Sequence, residues 1–269
     1  AAGAPRTTPV HPMIDLGKFT LIAGPCVVES HEHCHFLADS IRTQVGEFIF
    51  KASFDKANRS SIRSYRGPGI KEGLAILASI RAKGIPVLTD IHDPSQADEV
   101  AESVDILQIP AFLCRQTDLL LAAGRTGKTV NVKKGQSVAP GDMRNVVDKI
   151  RSTGNNRIAL TERGSSFGYN NLVVDMRGLK IMRDLGIPVI FDATHSVQTP
   201  GAQGDKSGGT PEFIPTLARA ATAAGIDGVF IETHEEPSKA LSDGANALPL
   251  AQLGTLWAQL QKIHATLNE

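Results

Sequence analysis

Three observations predict a single (β/α)8 barrel. Eight short apolar runs alternate with amphipathic stretches along the chain. The runs are rich in Val, Ile, Leu and Phe and several are almost continuously apolar, as strands covered on both faces are. A polar or ionisable residue stands at or just past the end of every run. A doubly wound open sheet is the alternative that the same alternation allows. No linker, charge block or low-complexity segment divides the 269 residues, a length that one barrel can fill.

The runs, in order, end as follows. FTLIAG (19–24) leads into GPCVVES with Cys26, and EFIFKA (47–52) opens a long basic loop at Lys51. IPVLTD (85–90) ends at Asp90 and VDILQI (104–109) carries Gln108. KTVNVK (128–133) is followed by Lys134, and NRIALT (156–161) by Glu162 and Arg163. IPVIFD (187–192) ends at Asp192 with His195 beyond, and DGVFIE (227–232) ends at Glu232. Apolar spacing predicts helices over 70–84, over 213–225 with Gly225 as a cap, and over 247–267 with Trp257 in the core. Cys34 and Cys114 read as packing residues, and His31, His33 and His35 as an exposed tract near a helix start. The Gly-rich stretch 201–209 lacks the spacing of a nucleotide-binding loop and reads as a mobile lid. Residues 1–18 read as an N-terminal extension or a cap under the barrel, with 19–269 as the catalytic barrel.

Composition narrows the function. Lys plus Arg number 28 and Asp plus Glu 28, so a general nucleic-acid or acidic-membrane binder is not expected, and any anion site needs local concentration of charge. With no apolar stretch of about 18 residues, no membrane span is expected. Three widely spaced cysteines make a poor disulfide framework and fit a reduced, cytoplasmic setting. The opening AAGAPRTTPVHP does not read as a signal peptide.

In barrels of this kind chemistry sits at the C-terminal strand ends. Burying ionisable groups at every one of them costs free energy unless they pair or bind something. The loop from Lys51 to Lys71 also holds Lys56, Arg59, Arg63 and Arg66 against Asp55 alone. A solvated loop is the plainer account of it, whereas convergence with Lys134 and Arg163 suits phosphate and carboxylate ligands. Cys26, His195, Glu232 and Asp243 are scattered in sequence but offer thiolate, imidazole and carboxylate donors suited to Zn2+, Fe2+ or Mn2+. Packing of Cys26, a hydrogen-bonded His195 and ordinary loop acids are the alternative.

The segments LIAGPCVVES, FKASFDKANRSS, TDIHD, QIPAFLCRQTDLL, VNVKKGQ, LTERGSSFGYNNLVVDMR, FDATHSVQTPG and GDKSGG span about residue 19 to about residue 250. Together they closely resemble the 3-deoxy-D-manno-octulosonate 8-phosphate synthases. KANRSS separates this resemblance from the related 3-deoxy-D-arabino-heptulosonate 7-phosphate synthases, which carry a KPRT-like segment there and use erythrose 4-phosphate. The resemblance implies a homotetrameric barrel that condenses phosphoenolpyruvate with D-arabinose 5-phosphate and water, breaking a C–O bond and releasing phosphate. It also implies a place in making the Kdo sugar of lipopolysaccharide. Metal-independent members have Asn where this chain has Cys26. The chain is therefore similar to the metal-dependent class, with Cys26, His195, Glu232 and Asp243 as ligands of a divalent ion. By resemblance Lys51, Gln108, Lys134 and Arg163 hold phosphoenolpyruvate, and Lys56, Asn58, Arg59, Ser60 and Asp90 hold the sugar phosphate. Arg115 reaches the sugar phosphate of a neighbouring subunit. The catalytic set is Lys51, Lys56, Asn58, Asp90, Lys134 and His195. A non-catalytic barrel that senses sugar phosphates is the competing class.

Overall fold

The eight apolar runs form eight parallel strands that close on themselves. They are β1 (Thr20–Gly24), β2 (Ile49–Lys51), β3 (Val87–Asp90), β4 (Ile106–Ile109), β5 (Thr129–Lys133), β6 (Ile158–Glu162), β7 (Val189–Asp192) and β8 (Gly228–His234). Neighbours in sequence pair in register all the way round, and β1 pairs β8 from Thr20↔Gly228 to Gly24↔Glu232 to complete the ring. Each strand is followed by a helix: α1 (His31–Val45), α2 (Ile70–Arg81), α3 (Ala97–Ser103), α4 (Thr117–Arg125), α5 (Met143–Arg151), α6 (Arg177–Arg183), α7 (Ile214–Ala223) and α8 (Leu250–Thr266). This computed structural model describes residues 16, 18–58, 61–203 and 206–267. The extension or cap read at 1–18 lies outside them, except for Leu16 and Lys18.

The period of two along each strand sorts its residues between helix layer and lumen. Leu21, Ala23, Phe50, Val87, Leu107, Val130, Val132, Leu160, Val189, Phe191, Val229 and Ile231 face outward into the main core against the helices. Ile22, Ile49, Leu88, Ile106, Ala159, Ile190 and Phe230 make a separate apolar layer inside the barrel, joined by Leu16. One rung higher, two residues on, the same faces carry Lys51, Asp90, Gln108, Thr161, Asp192 and Glu232, all buried. The lumen thus changes from apolar to ionic within one rung.

Local chemistry sets the helix ends. Ser30 caps α1 by accepting the His33 N–H at 3.1 Å. Gly225, expected as a cap, follows α7 with φ +87° and donates its N–H to the Thr222 carbonyl. Cys34, Cys114 and Trp257 pack in the main core. The histidine tract departs from expectation. His31 is exposed, but His33 and His35 are half-buried and hydrogen-bonded to Glu235 and Ser79, because α1 turns them toward neighbouring elements. The stretch read as a lid belongs to an antiparallel ribbon, Gln198–Gln203 pairing with Lys206–Gly209. Among the described residues no helix is long and apolar enough to cross a membrane.

Gly24 shows how closely β1 and β2 approach at the top. Its φ is +156°, and a Cβ built there would lie 2.1 Å from the Lys51 carbonyl oxygen. The strands cannot separate without breaking the ladder beside Cys26. Gly24→Ala is expected to cost about 3 kcal/mol or more, read as a lower denaturation midpoint with an unchanged m-value. A loss below about 0.5 kcal/mol would show that the close approach is not a constraint.

Candidate active site

The ionic rung opens upward into a cavity of about 700 Å³ lined by Lys51, Lys56, Asn58, Asp90, Gln108, Lys133, Arg163, His195, Glu232 and Asp243, among others. Strand ends supply the deep groups, whereas the loops after β2 and β8 supply Lys56, Asn58, Arg63, Ser242 and Asp243.

Two buried ion pairs organise the floor. Lys51 Nζ donates to Glu232 Oε1 at 2.5 Å and to the Cys26 carbonyl at 2.8 Å. Lys133 Nζ donates to Asp192 Oδ2 at 2.6 Å and sits 3.8 Å from the centre of the Phe230 ring. Asp192 also fixes His195: Oδ1 accepts the His195 backbone N–H and Oδ2 meets Nδ1, both at 2.8 Å. The proton therefore lies on Nδ1 and the Nε2 lone pair faces Glu232 Oε2, 3.6 Å away. Burial alone would raise the Glu232 carboxyl, but Lys51 first, then His195, Lys56 and Lys133, hold it well below the usual carboxylate range. Asp192 is likewise held well below that range: burial opposes its charge, and His195 and Lys133 outweigh it. Burial pulls Lys133 and Arg163 below their ordinary values. For Lys56 burial is outweighed by Cys26, Glu232, Asp90 and Asp243, which raise it.

Higher up, Arg163 Nη2 donates to Gln198 Oε1, while the buried Nη1 has no hydrogen-bond partner among the described residues. Asp90 Oδ2 meets His92 Nε2 at 3.1 Å, and its buried Oδ1 is likewise without a hydrogen-bond partner among the described residues. Burial would raise Asp90, yet His92, Lys56 and Lys51 keep it well below its ordinary value. Gln108 is held by Asn131, which Thr161 holds in turn. Lys56 donates to Ser53 Oγ at 3.2 Å.

One expected residue is elsewhere. Lys134 is buried but points away from the cavity, donating to the carbonyls of Gly135 and Val138 and to Ser165 Oγ, with Glu162 Oε1 at 3.6 Å. Strand alternation is the reason. Asn131 and Lys133 share the lumen face, so the next residue turns outward, beside outward-facing Glu162. The cation at the end of β5 is Lys133, and the period of two, applied from Asn131, is the signal that identifies it. Arg59 and Ser60 lie outside the described residues. Arg115 is exposed and does not line this cavity. Of the second loop's other cations, Arg63 lines the cavity and Arg66 is held by Asp55 at 2.8 Å through Nε. The sequence reading also passed over His92 and Gln198, polar residues that orient the groups named above.

The donors of Cys26, Glu232 and Asp243 lie within 4.8 Å of one another, and His195 stands beside Glu232. Cys26 Sγ is 2.8 Å from Ser242 Oγ and 3.5 Å from Asp243 Oδ2. Burial first, then Glu232, pushes its thiol up to about 12. Asp243 adopts φ +47°, a left-handed conformation that a non-glycine residue holds only under constraint. A thiol, an oriented imidazole and two carboxylates match the donor preferences of a divalent transition ion, whose charge would ionise the thiol.

A family model described as the DAHP synthetase I family matches residues 15–269. A relative from Desulfatibacillum aliphaticivorans is 60% identical over 248 residues, covering 90% of this chain and 91% of its own length. One from Cyanothece sp. is 58% identical over 268 residues, covering 97% and 98%. One from Trichlorobacter lovleyi is 59% identical over 253 residues, covering 92% and 93%. All three are named 2-dehydro-3-deoxyphosphooctonate aldolase.

The two adjacent lysines give opposite expectations. Lys133→Met removes a charge-assisted contact and should weaken binding of inorganic phosphate, read by calorimetry, about tenfold or more. Lys134→Met should leave that affinity within about twofold while lowering stability by about 3 kcal/mol, because it removes the cation facing buried Glu162 and the donor to the Gly135 and Val138 carbonyls. The reverse pattern would return Lys134 to the anion site.

Proposed function

The chain belongs to the DAHP synthetase I family, and we propose that it condenses phosphoenolpyruvate with D-arabinose 5-phosphate and water to give 3-deoxy-D-manno-octulosonate 8-phosphate and phosphate. The relatives' shared name supports this branch over the heptulosonate branch that uses erythrose 4-phosphate. The observation that carries the reading is the convergence of buried Lys51, Lys133 and Arg163 on one cavity, with Arg163 Nη1 unengaged among the described residues. Three fixed cations suit a ligand bearing phosphate and carboxylate together.

Lys133, Arg163, Lys51 and Gln108 hold phosphoenolpyruvate in this reading, and Lys56, Asn58 and Asp90 hold the sugar phosphate. Arg59 and Ser60 join the second group, and Arg115 serves a neighbouring subunit of a cytoplasmic homotetramer. Support for the last is the exposure of Arg115 and of Phe112, which lines the cavity. The supply of Kdo for lipopolysaccharide is the matching biosynthetic role.

The C3 carbon of phosphoenolpyruvate attacks the sugar aldehyde, and positive charge develops at C2. Water adds there, and the C2–O bond breaks so that the bridging oxygen leaves with phosphate. Holding two like-charged substrates together is the largest task, and the fixed cations perform it without reorganising. The same cations favour the departing phosphate. Asp192 meets His195 Nδ1 and so orients the ring with Nε2 toward Glu232. Cys26, His195, Glu232 and Asp243 would hold a divalent ion, which supplies positioning and polarisation of the aldehyde end or the water.

Phosphoenolpyruvate labelled with 18O in the bridging position is expected to give labelled phosphate, detected by mass spectrometry. Label left in the sugar acid would exclude C–O cleavage. D-Arabinose 5-phosphate should exceed erythrose 4-phosphate in kcat/KM by about a hundredfold, and the opposite ranking would move the chain to the heptulosonate branch. Cys26→Asn is expected to lose its active-site ion by elemental analysis after dialysis. Unchanged affinity at that site would remove Cys26 from the ligand set.

A further inference from the structure

A second donor cluster lies beside the first and takes no part in the chemistry above. Glu29, His33 and His234 each offer one ligand atom, and these atoms all lie within 4.8 Å of one another. Glu29 follows Cys26 by three residues, His33 stands in the first turn of α1, and His234 is the last residue of β8, one rung above Glu232 on the same strand face. His234 is 5% exposed and the His33 side chain 12%. His33 Nδ1 and His234 Nε2 are both buried without hydrogen-bond partners among the described residues. They face the two oxygens of the Glu29 carboxylate at 4.0 Å and 3.6 Å. Those gaps are too long for hydrogen bonds. They slightly exceed the separation of about 3.3 Å between ligands bonded to one tetrahedral zinc ion.

We infer that Glu29, His33 and His234 form a second divalent-cation site of the zinc class, distinct from the Cys26 cluster, which staples the loop after β8 to the loop after β1. Glu235 is its outer carboxylate. Its Oε2 meets His33 Nε2 at 2.9 Å, which puts the His33 proton on Nε2 and leaves the Nδ1 lone pair toward Glu29. His234 requires one proton shift. Its Nδ1 accepts the Glu236 backbone N–H at 2.9 Å, so the neutral ring carries its proton on Nε2. Ligation through Nε2 moves that proton to Nδ1, where Glu235 Oε2 lies 3.4 Å away to accept it, and hands the N–H of exposed Glu236 to water.

The consequence is positional. Glu29 Oε1 already accepts the Leu241 N–H at 2.9 Å, and Ser242 and Asp243 follow Leu241 into contact with Cys26. An ion on Glu29 and His234 would tie both roots of the 235–243 loop to the start of α1. It would thereby hold Asp243 in its left-handed conformation.

The site does not depend on the proposed reaction, and its test keeps the two clusters apart. Full-length protein stripped with chelator is titrated with Zn2+ against a chromogenic competitor. Wild type is expected to bind two equivalents per chain, and Cys26→Ser and His33→Gln one each. Cys26→Ser with His33→Gln should bind none. The equivalent retained by Cys26→Ser, replaced with Co2+, should show ligand-field bands without a thiolate charge-transfer band. Loss of all zinc in Cys26→Ser, with His33→Gln equal to wild type, would overturn the inference. If Cys26→Ser changes nothing while His33→Gln removes the zinc, the second site stands and the active-site assignment fails. Half-buried His33 is the position most tolerant of change. His234→Gln, checked for native circular dichroism, should repeat the His33→Gln result.

Discussion

Desolvation of charge is the constraint on which the upper half of this barrel depends. An ion moved from water into a protein interior loses several kcal/mol even after relaxation. The lumen nevertheless buries Lys51, Lys133, Arg163, Asp90, Asp192 and Glu232 above its apolar layer. Lys51 pairs with Glu232, Lys133 with Asp192 and Asp90 with His92, whereas Arg163 finds only the neutral Gln198 amide oxygen. Asp192 and Glu232 bracket His195, so imidazole, two carboxylates and two ammonium groups form one connected chain. Well-packed apolar residues would stabilise the same volume at least as well. Such a network is therefore poorly explained by stability and well explained by a ligand that needs fixed charges.

The rung below shows the contrast. Ile22, Ile49, Leu88, Ile106, Ala159, Ile190, Phe230 and Leu16 close the lumen with apolar side chains. They also deny water a route to the ion pairs from beneath. A dry floor lowers the local dielectric, which strengthens every pairing above it. Phe230 belongs to both levels, since its ring underlies Lys133 at 3.8 Å and Lys51 at 5.5 Å. The division of labour typical of such barrels, stability below and chemistry above, is drawn here between residues two apart on one strand.

Most of this was legible in the sequence, for reasons that also explain what was not. Runs such as IPVLTD and IPVIFD end in a carboxylate at the last strand residue, so run and strand coincide at Asp90 and Asp192. The doublet Lys133–Lys134 defeated a reading by composition, because adjacent residues of a strand face opposite ways and only the register of Asn131 decides between them. Cys26 and Asp243 stand 217 residues apart, and no spacing rule links them; strand-end placement made them candidates for one donor set, and the family resemblance strengthened that reading. His33 was misjudged because its polarity argued for solvent, whereas its burial is imposed by β8, a strand some two hundred positions later. The Gly-rich stretch 201–209 belongs to a ribbon in which Gln198–Gln203 pairs with Lys206–Gly209, a pairing that its composition did not announce.

Hydrogen-bond accounting decides the sign of the ligand. Lys51 has three donors and spends two, on Glu232 and the Cys26 carbonyl. Lys133 spends one on Asp192, and the nearby His195 Nδ1 takes none because it is itself a donor. Arg163 spends part of Nη2 and leaves Nη1 unengaged among the described residues. On the other side, Glu232 and Asp192 already accept from lysine, whereas the Asp90 Oδ1 that lines the same cavity is buried without a hydrogen-bond partner among the described residues. The cavity therefore holds a surplus of rigid cationic donors and one acceptor suited to a hydroxyl. That surplus sits in a chain of zero formal charge and is purely local. A molecule rich in anionic oxygens, next to one with a hydroxyl to donate, is the complement that leaves no buried charge unanswered.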